Sequence, residues 1–132
     1  MRSITHFIHG AAASSTGGRA SDVLDPSTGA VQAQVHLGDA ALLDQAIESA
    51  KKAQPDWAAV NPQRRARVLF RYKELIEAHM DELAALLSSE HGKVIADAKG
   101  DVQRGLEVVE FACGIPHLLK GDYTQGAGPG ID

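Results

Sequence analysis

The stretch Val94 to Leu119, VIADAKGDVQRGLEVVEFACGIPHLL, constrains this chain more than any other. At about 100° per residue, Ile95, Ala98, Val102, Leu106, Val109 and Cys113 fall in one narrow stripe, the core-facing side of an amphipathic helix. The opposite side carries Gly100, Arg104, Glu107 and Phe111, so a large aromatic and a cation stand where a surface helix is ordinarily polar throughout. Gly100 and Gly105 lie inside the same helix, each costing roughly 1 kcal/mol relative to Ala. Such a helix is expected to be approached closely from both sides. A chain of 132 residues has material for one cover, and the second is expected from elsewhere.

The segments before it supply the first cover. Thr5 to His9 reads as a short strand with Phe7 and Ile8 as its apolar members, and Ala11 to Ser21, small and Gly-rich, reads as a loop. Val23 to His36 reads as a hairpin: Pro26 fixes φ in the turn, Gly29 supplies a positive φ, and Val31, Ala33 and Val35 alternate with polar residues. So few short strands do not make a stable sheet alone and require a helix layer. Asp39 caps a first helix running to about Trp57, with Leu42, Ala46, Ala50, Ala53 and Trp57 on one stripe and Pro55 near its end. Asn61-Pro62 opens a second, where Val68, Leu69, Tyr72, Leu75, Ile76 and His79 form the stripe, His79 as a packed imidazole. Asp81 caps a third after a break near Met80, and Gly92 ends it in a left-handed conformation. Pro116 disturbs the end of the fourth. The expectation is an α+β fold, an N-terminal strand and a β-hairpin followed by three or four amphipathic helices. It occupies residues 1–120, with a Gly/Pro-rich linker over 121–132. A linker that joins nothing suggests a chain that stops early.

Composition removes several classes of function. The hydrophobic fraction is 44%, of which little is aromatic, and the net charge is −4 with both signs interspersed. A nucleic-acid footprint is therefore not expected. No apolar run approaches a membrane span, the N-terminus MRSITHFIHG has no secretory h-region, and the single Cys113 fits a reducing compartment, so the expectation is a cytoplasmic protein.

Chemistry-bearing residues are few. Cys113 invites a nucleophile reading but sits on the apolar stripe with Val109 and Leu106, where a thiol behaves as a small hydrophobe of blunted reactivity. His6, His9, His36, His79, His91 and His117 show no zinc spacing. Gly126-Ala-Gly128-Pro-Gly130 has neither a strand before it nor a helix after it, as a phosphate loop requires. Arg104 carries two readings. It is either a solvated side chain paired with Asp101 or Glu107 at helical spacing, or a guanidinium presented between Gly100 and Phe111 to grip a carboxylate with two parallel hydrogen bonds.

The order of these pieces resembles the N-terminal part of the aldehyde dehydrogenase superfamily. FIHG, VLDPSTGAVQAQV, the helix ending in QPDWAAV, and RRARVLFRYKELIEAHMDELAALLSSEHGK follow that family's opening nearly in step. GKVIADAKGDVQRGLEVVEFACGIPHLLKGD is most similar to the CoA-acylating methylmalonate-/malonate-semialdehyde dehydrogenases, with the run from Gly100 to Gly105 its most specific part. Ala11-Ala12 stands where the family usually has Glu-Trp, and Asp25 where it has Asn before the proline.

The resemblance implies that this chain is part of the NAD-binding domain of an α/β enzyme. In that enzyme a cysteine thiolate attacks the semialdehyde, a hydride passes to NAD, and the thioester is decarboxylated and transferred to coenzyme A. It assigns the substrate-carboxylate role to Arg104 and places the nucleophile, its assisting residues and the NAD site beyond Asp132. Cys113 does not match the nucleophile's motif. The implied partner is the missing C-terminal remainder, and the chain alone is expected to be inactive and to bind neither NAD nor CoA. The competing expectation is a non-catalytic helical module that dimerises or binds a partner through Val108 and Phe111.

Overall fold

The computed structural model describes residues 1–14, 18–122 and 128–130. Five short strands come first: β1 (Arg2–Ile4), β2 (His6–Ile8), β3 (Ala11–Ala13), β4 (Ala20–Leu24) and β5 (Val31–His36). β5 is the centre of a three-stranded sheet, antiparallel to β4 and parallel to β1, with Ser3 and Asp22 both opposite Gln34. β2 and β3 form a separate antiparallel pair. The strand expected over residues 5–9 is thus shorter and is preceded by β1. The loop expected over Ala11–Ser21 contains β3 and the first residues of β4. His9 (φ 55°) and Gly10 (φ 75°) make the turn between β2 and β3, the two successive left-handed residues that a tight hairpin turn requires.

The expected β4–β5 hairpin is present. Asp25 closes its turn, the side chain accepting from Ser27 N at 2.8 Å and the carbonyl from Gly29 N at 2.8 Å. Ala33 is buried, Val35 half-buried and Val31 exposed, so the sheet turns only part of one face inward.

The helices are α1 (Ala40–Ala59), α2 (Pro62–Ala78), α3 (Met80–His91), α4 (Ile95–Cys113) and the short α5 (Ile115–Leu118). Asp39 caps α1 through Leu42 N at 2.8 Å, and Asn61 caps α2 through Gln63 N at 2.9 Å, each satisfying an amide that the helix itself leaves free. The break near Met80 falls at His79. That residue is not the packed imidazole expected of it: the stripe runs out where α2 ends, and the exposed ring lies with Nδ1 2.9 Å from Glu82 Oε2. Nor does Asp81 cap α3. It sits in the first turn, where a carboxylate suits the helix dipole, and reaches Lys99 Nζ on α4 at 2.5 Å. Gly92 ends α3 at φ 84°, as expected.

α4 packs against both α2 and α3. The buried residues of this layer are Ala66, Ile76, Ala84, Ala98, Leu106 and Cys113. Ile95, expected on the buried stripe, is exposed at the first turn of α4, and Val68, Tyr72 and Leu75 of α2 are also exposed. Lys73 ties α2 to α4, with Nζ 2.5 Å from Glu77 and 3.4 Å from Glu110. The hydrogen bond that Lys73 donates to Glu77 leads in holding its pKa above the usual lysine value, against partial desolvation. The sheet attaches to the end of α3: Gln32 Nε2 donates to Ser89 O at 3.0 Å, and Arg2 Nη2 pairs with Glu90 Oε1 at 2.9 Å. On α1, Leu42 is buried, while Ala50, Ala53 and Trp57 on the same stripe stay exposed.

Candidate substrate-carboxylate site

Arg104 stands on the side of α4 turned away from α2 and α3, with its side chain 72% exposed. Phe111 (70% exposed) and Val108 (68%) lie further along the same helix. Two hydrophobic side chains and a guanidinium without a cover over them make a surface that water alone serves poorly. α2 and α3 cover one side of α4, as expected, but the close approach is not at the two glycines. A Cβ built on Gly105 would meet nothing within 4 Å, and one on Gly100 would meet only Arg104 Nη1, at 3.9 Å.

The guanidinium folds back along the helix toward its N-terminal end, the direction in which helical side chains point. Nη2 donates to Asp101 Oδ1, the (i, i+3) pairing expected at this spacing; Glu107 takes no part in it and accepts instead from Gln103 Nε2 at 3.5 Å. The other oxygen of Asp101 accepts from Lys93 Nζ. Reading the helix by itself misses Lys93, because the residue lies before α4 begins and is brought over Asp101 by the left-handed turn at Gly92. Lys93 is held in its turn by Ser88 Oγ, which donates to its carbonyl at 2.6 Å. The Lys93 hydrogen bond is the largest influence on Asp101, whose carboxyl is kept below the usual carboxylate value; partial desolvation opposes it, and the charge of Arg104 adds to it.

Cys113 is buried on the opposite stripe, as expected. Among the described residues no three His, Cys, Asp or Glu side chains cluster as metal ligands, and no helix is long and apolar enough to cross a membrane. Of the stretch Gly126 to Gly130, residues 126–127 lie outside the described residues. At the connection from β5 to α1, the Asp39 carboxylate accepts from the amide of Leu42, one of the helix-start donors that a phosphate would otherwise use. A concavity of about 590 Å³ between β2 and α1, lined largely by Phe7, Ile8, Leu42 and Leu43, does not include Arg104.

A sequence profile described as "Aldehyde dehydrogenase family" matches residues 12–130. This chain belongs to the aldehyde dehydrogenase family. Within it, the malonate-semialdehyde dehydrogenase of Pseudomonas aeruginosa is 42% identical over 132 residues, covering 100% of this chain and 26% of the relative. A structure from Sinorhizobium meliloti, assigned to methylmalonate-semialdehyde dehydrogenase and complexed with NAD, has a TM-score of 0.91 and 56% identity over 98% of this chain and 26% of that one. The methylmalonate-semialdehyde dehydrogenase of Oceanimonas doudoroffii gives 0.91 and 45% over the same shares. The expected partial aldehyde dehydrogenase fold is therefore borne out. The chain spans about a quarter of the length of these relatives.

Proposed function

We propose that this chain is the N-terminal segment of an NAD-dependent, CoA-acylating (methyl)malonate-semialdehyde dehydrogenase and that Arg104 grips the substrate's carboxylate. The observation that carries the reading is the exposed guanidinium on the uncovered face of α4, in a chain whose relatives act by name on semialdehydes that bear a carboxylate. Such a substrate holds its aldehyde carbon one carbon away from the acid group. A cation that fixes the carboxylate therefore also fixes the carbonyl relative to a nucleophile, and correct placement lowers the barrier by converting an encounter into an intramolecular step. Paired hydrogen bonds from a guanidinium to a carboxylate give that placement direction as well as strength.

The role assigned to this chain is binding and orientation, not bond-making. Cys113 is buried and faces the helix layer, so it does not reach a substrate held by Arg104. NAD, when bound by the complete enzyme, accepts the hydride. With malonate semialdehyde, NAD and CoA, the 132-residue chain is expected to give no NADH above a buffer blank. Joined to the remaining portion of the Sinorhizobium meliloti relative, it is expected to give NADH. In that joined enzyme Arg104→Gln is expected to raise KM for malonate semialdehyde by about 30-fold or more, the scale of a lost charge-assisted pair. NADH from the chain alone, or an unchanged KM in the variant, overturns the reading.

A second reading rests on Val108 and Phe111, whose exposure favours self-association through the back of α4. It requires a dimer that strengthens with concentration in sedimentation and is lost in Val108→Glu. A monomer at all concentrations ends it.

A further inference from the structure

We propose that Asp101 is a positioning residue for Arg104, and that Lys93 is the anchor that fixes Asp101. The inference rests on the reading of Arg104 as the carboxylate grip. Each oxygen of the Asp101 carboxylate is engaged by a different cation, Oδ1 by Arg104 and Oδ2 by Lys93. Two points of attachment fix both the place and the plane of that carboxylate. The side chains of Lys93 and Asp101 are largely covered, unlike that of Arg104, so the anchored end of the chain of contacts is the less mobile one. The backbone that carries Lys93 is held at its carbonyl by Ser88 Oγ. The guanidinium lies beside Gly100, with Nη1 3.9 Å from where a Cβ would be, an ordinary van der Waals contact.

The use made of the guanidinium distinguishes this arrangement from an ordinary surface ion pair. Asp101 takes Nη2, and among the described residues nothing accepts from Nη1 or Nε. Donors are left for an incoming anion while the group is held from one side. The charges also sum in favour of a single acid group. Two cations and one carboxylate leave the trio one positive charge in excess, which matches one carboxylate and not a dianion. Without Asp101, the Arg104 side chain regains rotamer freedom that the substrate must then remove on binding.

The test uses the enzyme formed by joining this chain to the remaining portion of the Sinorhizobium meliloti relative, assayed with malonate semialdehyde and with propanal, an aldehyde of the same carbon count without the acid group. Asp101→Asn is expected to lower the ratio of kcat/KM for malonate semialdehyde to that for propanal by about tenfold, through KM rather than kcat, the scale of a misplaced rather than a missing group. Asp101→Glu restores most of the ratio, and Lys93→Met lowers it by a smaller factor. Propanal turnover reports that each variant is folded. A second readout needs no activity: in the 132-residue chain, the Arg104 Nε–Hε resonance is expected to show restricted motion that is lost in Asp101→Asn. An unchanged ratio, or an unchanged resonance, overturns the inference. If Arg104→Gln moves the ratio and Asp101→Asn does not, the positioning role alone falls. If Arg104→Gln also leaves it unmoved, both fall together.

Discussion

Pro26 stands directly against Gly92: a Cβ built on the glycine would lie 3.0 Å from Pro26 Cγ and 3.3 Å from its Cβ. The turn of the β4–β5 hairpin thus rests on the residue that ends α3. Gly92 also has φ 84°, where an L side chain is strained by roughly 1–2 kcal/mol. Gly92→Ala is expected to destabilise the chain by about that amount plus the cost of moving the hairpin, read as a lower urea midpoint. In a Pro26→Ala background the contact part of the loss is recovered and the φ part is not. A Gly92→Ala chain with an unchanged midpoint contradicts the packing described for the hairpin.

Gly105 is the opposite case. It lies inside α4 and a Cβ there would meet no other atom within 4 Å, so Gly105→Ala is expected to stabilise the chain alone by up to about 1 kcal/mol through helix propensity. In the joined enzyme the same change is expected to lose that gain, if a second cover approaches this side of the helix. Equal stabilisation in both settings removes the glycine as a mark of close packing.

Asp101 makes stability depend on acid. Its carboxyl titrates below the ordinary value of 3.8 because Lys93, and then Arg104, favour the charged form in the folded chain. The unfolded chain therefore binds more protons in that range. The contribution is fully present above about 3.8 and is lost as pH falls through the lower folded value. Lys93→Met is expected to flatten the fall of the urea midpoint in that window; an identical acid profile in the variant contradicts the contact.

Lys73 works in the other direction. The Glu77 hydrogen bond, aided by Glu110, raises its pKa above 10.5, so its contribution is complete below that value and fades as pH rises through the higher folded one. Glu77→Gln is expected to reduce the loss of stability on the alkaline side, followed by thermal unfolding as pH is raised.

Cys113 is buried between α4 and its neighbours, and a thiol so placed reacts only when the helix layer opens. Labelling with a thiol reagent is expected to be slow in the folded chain and immediate in urea. In the joined enzyme Cys113→Ala is expected to keep its activity, since the residue has no part in the chemistry proposed. Loss of turnover with an intact fold contradicts that assignment.

What was legible in the sequence was local chemistry. The caps at Asp39 and Asn61, the left-handed Gly92 and the β4–β5 turn each depend on one or two residues whose preferences act within a few positions. β1 escaped because a three-residue strand pairing in parallel with β5 is fixed by distant contacts, not by its own pattern. β3 escaped because three alanines carry little strand preference, although His9-Gly10 between two short runs was a usable hairpin signal. The stripe on α1 is apolar at the helical period, yet periodicity says only that a face seeks a cover and never whether the chain contains one. At the candidate site the Asp101–Arg104 pairing followed from helical spacing, whereas Lys93 lies across a helix boundary where that spacing does not apply.

The buried positions where the helices meet are filled in good part by alanine, with Ala66 on α2, Ala84 on α3 and Ala98 on α4. Methyl-sized contacts let helix axes draw near, toward the short end of the usual range of about 8–10 Å. They also leave no slack, because there is no long side chain to re-rotamer when the spacing changes. Adding two carbons at Ala98 would therefore act like a shim, lifting α4 as a rigid bar and carrying the guanidinium on its far side outward with it.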